Sequence, residues 1–319
     1  MRRSSIFLVA SFSGLVLALP AITLACSSCG CTLSSDWVSQ GISSSAGFTV
    51  DLRYDFVDQT ALRSGSHGAT EPATPGTEEA EQRSTNRYTT ATIGYNLNKE
   101  WGVNLLLPYL DRSHSTIAPG DTDISASHTH SIGDVKIIGR YQGFSADGDT
   151  GILFGVKLPT GAHDFSFNGG PAAGQTLDRG LQPGTGSTDF ILGGFRFGSL
   201  NRDWDWYAQA MVQTPVHTKD DYRPGTIFTA NGGLRYMAWG RWIPLLQLNA
   251  LERRPDAGAN SDAPNSGGRS LLLSPGLSVE LAKGVTIYGF VQAPLYQYVN
   301  GLQLAPRWNA SVGASYSWR

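Results

Sequence analysis

The chain has 319 residues, 16% of them charged and 40% hydrophobic, with a formal net charge of −2. No basic patch is interleaved with aromatics, so nucleic acid is not an expected partner. The 38 glycines, 8 tryptophans and 12 tyrosines, without a long apolar run after the N-terminus, suit short strands, tight turns and aromatic belts better than a water-soluble α/β enzyme.

Residues 1–25 have the pattern of a signal peptide. Arg2 and Arg3 supply a positive start, Ile6 to Leu19 an apolar stretch, and Thr23-Leu24-Ala25 a small-residue cleavage site. The apolar stretch is shorter than the about 20 residues of a helical span. Cys26 directly after Ala25 raises a lipoprotein signal as a second possibility, but Thr23 stands where that signal has leucine, so ordinary cleavage is expected. Either route exports the protein. Residues 26–46 then form a short periplasmic segment holding Cys26, Cys29 and Cys31. Three thiols so close together could take a soft metal, Cu(I) or Zn(II). In an oxidising compartment a disulfide with one odd thiol is the plainer outcome. No other cofactor is expected.

From residue 47 to 319 one pattern repeats: about ten residues of alternating polarity, then a turn. Phe48, Val50, Leu52, Tyr54 and Phe56 alternate with Thr49, Asp51, Arg53 and Asp55, which sends the two sets to opposite faces of a strand. The same rule predicts strands at 47–59, 86–97, 101–112, 132–144, 151–161, 187–197, 204–215, 226–238, 242–253, 270–281, 285–298 and 308–318. Alternation alone does not separate a soluble sandwich from a membrane barrel. The connections do. Short ones at 98–100, 145–150, 198–203, 239–241 and 282–284 alternate without exception with long ones at 60–85, 113–131, 162–186, 216–225, 254–269 and 299–307. Tight periplasmic turns at one end and longer external loops at the other are the habit of outer-membrane barrels. The fold expected is therefore all-β, a transmembrane antiparallel β-barrel of about 12 strands.

The C-terminus agrees. Val312, Ala314, Tyr316 and Trp318 share one face of the last strand, as in the closing strand read by the outer-membrane assembly machinery, although Arg319 replaces the usual terminal aromatic. Trp101, Trp204, Trp206, Trp239 and Trp242 flank the short connections, where a periplasmic aromatic girdle would sit.

Three segments carry a resemblance: Ile132-Gly133-Asp134-Val135-Lys136-Ile137-Ile138-Gly139-Arg140-Tyr141, then Gly155-Val156-Lys157-Leu158-Pro159-Thr160-Gly161, then Gly184-Thr185-Gly186-Ser187-Thr188-Asp189. In that order they resemble the phenol-degradation meta-pathway family of outer-membrane proteins. The resemblance implies a barrel that acts as a channel, associated in some members with aromatic catabolism, and supplies no binding residues.

The lumen-facing set on this register includes Asp51, Arg53, Asp55, Asp134, Lys136, Arg140, Lys157, Arg196, Arg235 and Glu280, with Gln209, Gln213, Gln247 and Asn249. Two readings stay open for it, a hydrated path for a small solute and a plug of mutually satisfied charges. Lys136, Arg140 and Lys157 would form a basic stripe opposite Asp51 and Asp55. His128 and His130 alternate on one segment with His114 nearby and could share a metal. All six histidines fall in or beside external loops and none belongs to a nucleophile motif, so no enzyme is expected. The expected function is a channel in the Gram-negative outer membrane passing a small, aromatic or amphipathic molecule. The alternative is a non-channel binding barrel whose cysteine segment serves metal or redox chemistry. Expected partners are membrane lipid, the assembly machinery and the solute.

Overall fold

The computed structural model describes residues 46–70 and 79–318. The targeting segment and Cys26, Cys29 and Cys31, with the readings that rest on them, lie outside the described residues. Thirteen strands follow in chain order: β1 (Gly47–Gly65), β2 (His67–Gly68), β3 (Ala80–Asn96), β4 (Trp101–Ile117), β5 (Ser125–Ile132), β6 (Lys136–Tyr141), β7 (Thr150–Lys157), β8 (Thr188–Ser199), β9 (Trp204–His217), β10 (Ile227–Tyr236), β11 (Trp242–Arg253), β12 (Gly268–Ala282) and β13 (Val285–Trp318).

The alternation of β1 becomes two faces of opposite character. Leu52 is 54% exposed on the outside, while Asp51 beside it is 5% exposed on the inside. A soluble sheet buries its apolar face; this one displays it, and the surroundings that accept it are lipid. In lipid no water meets a free backbone amide, so the sheet must close. It closes through β1 and β13, paired antiparallel from Phe48↔Trp318 to Gly65↔Val299.

β13 counts twice. Its first half pairs with β12 and its second with β1, and the chain turns back at Gly301, whose φ of +58° suits glycine. Ser317 N–H donates to the Gly284 carbonyl at 2.8 Å across the two halves. β5 and β6 both pair with β4 and together make one broken crossing, and β2 is only a hairpin tip on β1. With β1, β3, β4, β7, β8, β9, β10, β11 and β12 the wall has twelve crossings.

Aromatic rings mark both rims. At the short-turn end Phe48 packs on Tyr95 and Trp318 at 4.6 and 5.7 Å, Trp101 on Tyr141 at 4.6 Å and Trp204 on Tyr236 at 4.9 Å. At the other end Phe56 meets Trp308 at 5.6 Å. The run from Phe48 to Phe56 has the roughly 9–11-residue length with which a tilted strand crosses a bilayer.

Several strands outrun their predicted ends, mainly on the external side, although β8 also runs on to Ser199 at the short-turn end. β1 reaches Gly65, β3 starts at Ala80, β4 reaches Ile117, and β5 occupies part of the predicted loop 113–131. The predicted loop 299–307 is mostly strand. Above the bilayer both faces are wet, so alternation disappears although the ladder hydrogen bonds persist. The connection after β7 differs in the other direction. It lacks strands, apart from isolated bridges, but buries Ala172, Leu177 and Leu181 and leans on the inner side of the wall: Arg112 Nη1 donates to the Gly180 carbonyl at 3.1 Å and Ala172 N–H to Ser125 Oγ at 3.0 Å. It is folded into the mouth rather than free outside it.

A cation at mid-band costs about 2–4 kcal/mol in such barrels. Leu52→Arg should therefore lower stability in lipid by that amount, while Thr49→Arg, on the inner face at the rim, should cost less than about 1 kcal/mol. Urea unfolding in vesicles measures both, and equal losses would mean that the strand register is wrong or the lumen tightly plugged.

Candidate functional site

The three glycine-rich segments, far apart in sequence, meet at one point of the wall. The fourth crossing breaks between Ile132 and Lys136, and the backbone groups freed there need partners. Gly133 N–H donates to the Pro108 carbonyl and Leu158 N–H to the Val135 carbonyl, both at 2.8 Å, and Asp134 ties the break to the connection after β7. Its carboxylate accepts Gly161 N–H at 3.0 Å, Thr185 N–H at 3.0 Å and Thr185 Oγ1 at 2.7 Å. Thr160 Oγ1 bridges the same gap, receiving Val135 N–H and donating to the Gly133 carbonyl, both at 2.9 Å.

Lys157, 4% exposed, lies under this knot. Its ammonium is 2.9 Å from Asp134 and 3.3 Å from Asp189, and also donates to Ser187 Oγ and Thr185 Oγ1. Asp189 in turn accepts Ser187 Oγ at 2.6 Å and Gln213 Nε2 at 2.6 Å, and Lys136 donates to Gln213 Oε1 at 2.9 Å. Here the glycines have a steric reason: a Cβ on Gly161 would lie 2.6 Å from Gly184 Cα. No side chain fits between those two strands of backbone.

Lys136 and Lys157 are cross-strand neighbours, but they do not form the bare basic stripe expected from sequence, because Asp134, Asp189 and Gln213 are threaded between them. Arg140 is buried and donates to Asn96 Oδ1 at 2.8 Å. On the opposite wall Asp55 holds Arg53 Nε at 2.8 Å and Ser311 Oγ at 2.6 Å, and Asp51 accepts the Tyr288 hydroxyl at 2.9 Å. Arg235 is buried 3.4 Å from Asp205. Ion pairs meet part of the charge on each wall, and neutral hydrogen-bond partners such as Asn96, Gln213 and Tyr288 hold the rest.

Two residues assigned to the lumen are corrected. Glu280 is exposed near the short-turn end of β12. The Arg196 side chain is 65% exposed on the outer face, 3.7 Å from Asp149, and it is Phe195 and Ile191 that turn inward and are buried. β8 has apolar residues on both faces, so alternation assigns neither. The inward apolar residues belong to a group the sequence reading missed. Near the short-turn end Leu245, Tyr288 and Phe290 cluster inside the barrel, and Leu153, Phe195 and Tyr207 are buried at similar height. The histidine triplet also separates. His128 and His130 share the outer face of β5, with rings 5.7 Å apart, whereas His114 is buried with Nδ1 2.7 Å from Ser84 Oγ.

External connections cap the mouth above the knot. Asp256 accepts the Tyr222 hydroxyl at 2.8 Å, Gly225 N–H at 2.7 Å and Arg253 Nη2 at 2.8 Å. Arg179 lies over the Tyr222 ring at 5.0 Å and 3.5 Å from Asp220. Burial, then the charge of Glu79, holds the Asp178 carboxyl well above the usual range. Burial likewise pushes Asp262 up to about 7, against hydrogen bonds from Asn265 and with help from Glu79 and Asp256.

No family model matches the sequence, and no curated protein is detectably similar to it. Solved structures are similar in fold. An outer membrane channel from Pseudomonas putida F1 superposes with a TM-score of 0.63 at 10% identity, over 86% of this chain and 96% of its own. The transport unit of the autotransporter AIDA-I from Escherichia coli gives 0.49 at 11% identity over 85% and 90%. The toluene transporter TodX from Pseudomonas putida gives 0.45 at 10% identity over 93% and 99%. The last two scores carry no argument.

Two outcomes follow from this geometry. Asp134→Ala leaves Lys157 buried without one of its two carboxylates, a loss of about 3–5 kcal/mol for a broken buried pair. It should expose residues 158–187 to protease in folded barrels, and unchanged protection would remove Asp134 from its role. For the cap, a carboxyl raised in the folded state stabilises fully below its ordinary value of 3.8 and loses that contribution as pH climbs towards 7. Proteolysis at 254–267 should therefore speed up over that interval, and less so in Asp262→Asn. The fold itself is plain: a closed, antiparallel outer-membrane β-barrel with its polar face inward and one broken crossing.

Proposed function

We propose that this barrel passes a small aromatic or amphipathic molecule across the outer membrane, and that the molecule crosses the wall at the break beside β5 rather than along an open axial pore. One observation carries the reading. β5 is hydrogen-bonded along one edge, to β4; on the other side it meets only the folded-in connection, through the bridge Ala126↔Gly169. At the external rim this leaves one edge of the fourth crossing unpaired by any strand among the described residues. Beside this edge lies a cleft of about 750 Å³ lined by Ser131, Ile132, Thr160, Ala162, His163 and Lys219 among others, apolar and polar in mixture.

The interior supports the same reading. Asp51, Asp55, Arg140, Lys157 and Arg235 are all buried, whereas the walls of a wide aqueous pore would expose their charges. The likeness to the Pseudomonas putida channel supports a transport barrel. The three-segment resemblance favours an aromatic solute.

Planar-bilayer conductance and uptake of an aromatic probe such as toluene into proteoliposomes test this together. The wild-type barrel should take up toluene with little steady ion current. Ala162→Trp, which fills the cleft, should reduce uptake about tenfold without changing that current, a tenfold being a 1.4 kcal/mol barrier. A large wild-type current, with uptake indifferent to Ala162→Trp, would replace the side route with an axial pore.

A further inference from the structure

The outer face of β1, β3, β4 and β5 changes character abruptly at one level. Along the register Tyr54, Thr89, Tyr109 and Ile132 form one row across the four strands, and Tyr54, Tyr109 and Ile132 are exposed to lipid. The next row on the same face is Phe56, Arg87, Asp111 and His130. One step further stand Asp58, Thr85, Ser113 and His128. Apolar surface thus gives way to charge within two residues, at the height where Phe56 and Trp308 mark the external rim. Whatever lipid headgroup surrounds the barrel on that side touches this band.

The band is arranged to present arginine. Asp58 grips Arg83 through Nε at 3.0 Å and Nη2 at 3.1 Å, leaving Nη1 without a partner among the described residues. Asp111 holds Arg87 by Nη1 at 3.1 Å and His128 by Nε2 at 3.2 Å. The carboxylates fix the guanidinium planes and leave donors to spare. A third arginine arrives through a bulge. The ladder steps from Asp58↔Trp308 to Gln59↔Pro306, so Arg307 is an extra residue in its strand, exposed and without an ion pair among the described residues. Bulges re-aim side chains in this way. With both histidines neutral, Arg83, Arg87 and Arg307 exceed Asp58 and Asp111 by one charge.

We propose that this band is a docking surface for a phosphorylated lipid headgroup of the outer leaflet, with Arg83, Arg87 and Arg307 donating to its phosphate oxygens and the aromatic rim beneath packing on its acyl chains. Guanidinium matches phosphate geometrically, with parallel N–H donors. A phosphate on a lipid is delivered to this height by the membrane itself, which a free phosphate is not. The site is on the outside of the barrel and is independent of any route through it.

The test uses the full-length barrel in detergent–lipid micelles, with native mass spectrometry reading the retained lipid. The probe is bisphosphorylated lipid A, and the same lipid stripped of both phosphates is the control. Wild-type protein should retain the phosphorylated form preferentially. Arg83→Gln with Arg307→Gln should lower that retention about tenfold, as expected when charge-assisted hydrogen bonds are lost, with barrel mobility on unheated gels unchanged. Because Arg83→Gln also frees Asp58, Arg307→Glu alone serves as a second variant that breaks no ion pair, and it should weaken retention too. Retention of the dephosphorylated lipid equal to that of lipid A would overturn the proposal. So would equal retention of phosphatidylglycerol, or variants of native mobility that hold lipid A as wild type does.

Discussion

Everything in this molecule depends on closing the ladder between β1 and β13. A strand edge in hydrocarbon leaves amides and carbonyls without partners at a cost of several kcal/mol each, so a sheet that displays Leu52 and Val50 to lipid has no stable open form. Closure is secured at both ends of the seam. Phe48 stacks with Trp318 at one rim and Phe56 with Trp308 at the other, while Ser311 and Asp55 are bonded on the inner side at 2.6 Å. Once the seam is fixed, register is fixed for every other strand, and with it which residues face inward. A slip of one residue would send Asp51 and Asp55 into lipid.

Against that constraint, the broken fourth crossing is the feature that needs a physical account. The chain does not leave the freed groups bare: Pro108, Leu158 and Thr160 meet them, while Asp134, Thr185 and Ser187 gather around Lys157 and tie the break to the connection after β7. Such a buried charge cluster is not a source of net stability compared with apolar packing. Its advantage is that it can be exchanged: a hydrogen-bonded knot can be reformed around a different arrangement of the 158–187 connection, whereas a continuous strand pair must be unzipped. The aliphatic alternative would close the wall permanently. That difference favours the break over the buried interior as the place of passage in the proposed route.

How much of this was legible in the sequence follows from where lipid acts. Between Phe48 and Phe56 the bilayer enforces alternation, and residues there could be assigned to faces directly. Beyond the rim, at Ala61 to Gly65 or Ser113 to Ile117, water wets both faces and strand looks like loop. Arg196 failed for a different reason: Phe190, Leu192, Phe195 and Phe197 make β8 apolar on both sides, because the barrel interior at that height is itself apolar, so a lone charge was taken for a lumen marker. The meeting of Asp134, Gly161 and Thr185 was invisible to any local pattern. The three segments were recognised as motifs, but their shared purpose, bridging one gap, exists only in three dimensions.

The inner charges are committed to partners within the barrel, Arg53 to Asp55 and Lys157 to Asp134 and Asp189. An ion entering would give up its hydration to side chains already committed to one another. An uncharged ring gives up little, so on the proposed reading selectivity comes from how tightly the barrel's own charges are satisfied: the more complete the pairing, the stronger the preference for solutes that ask nothing of it.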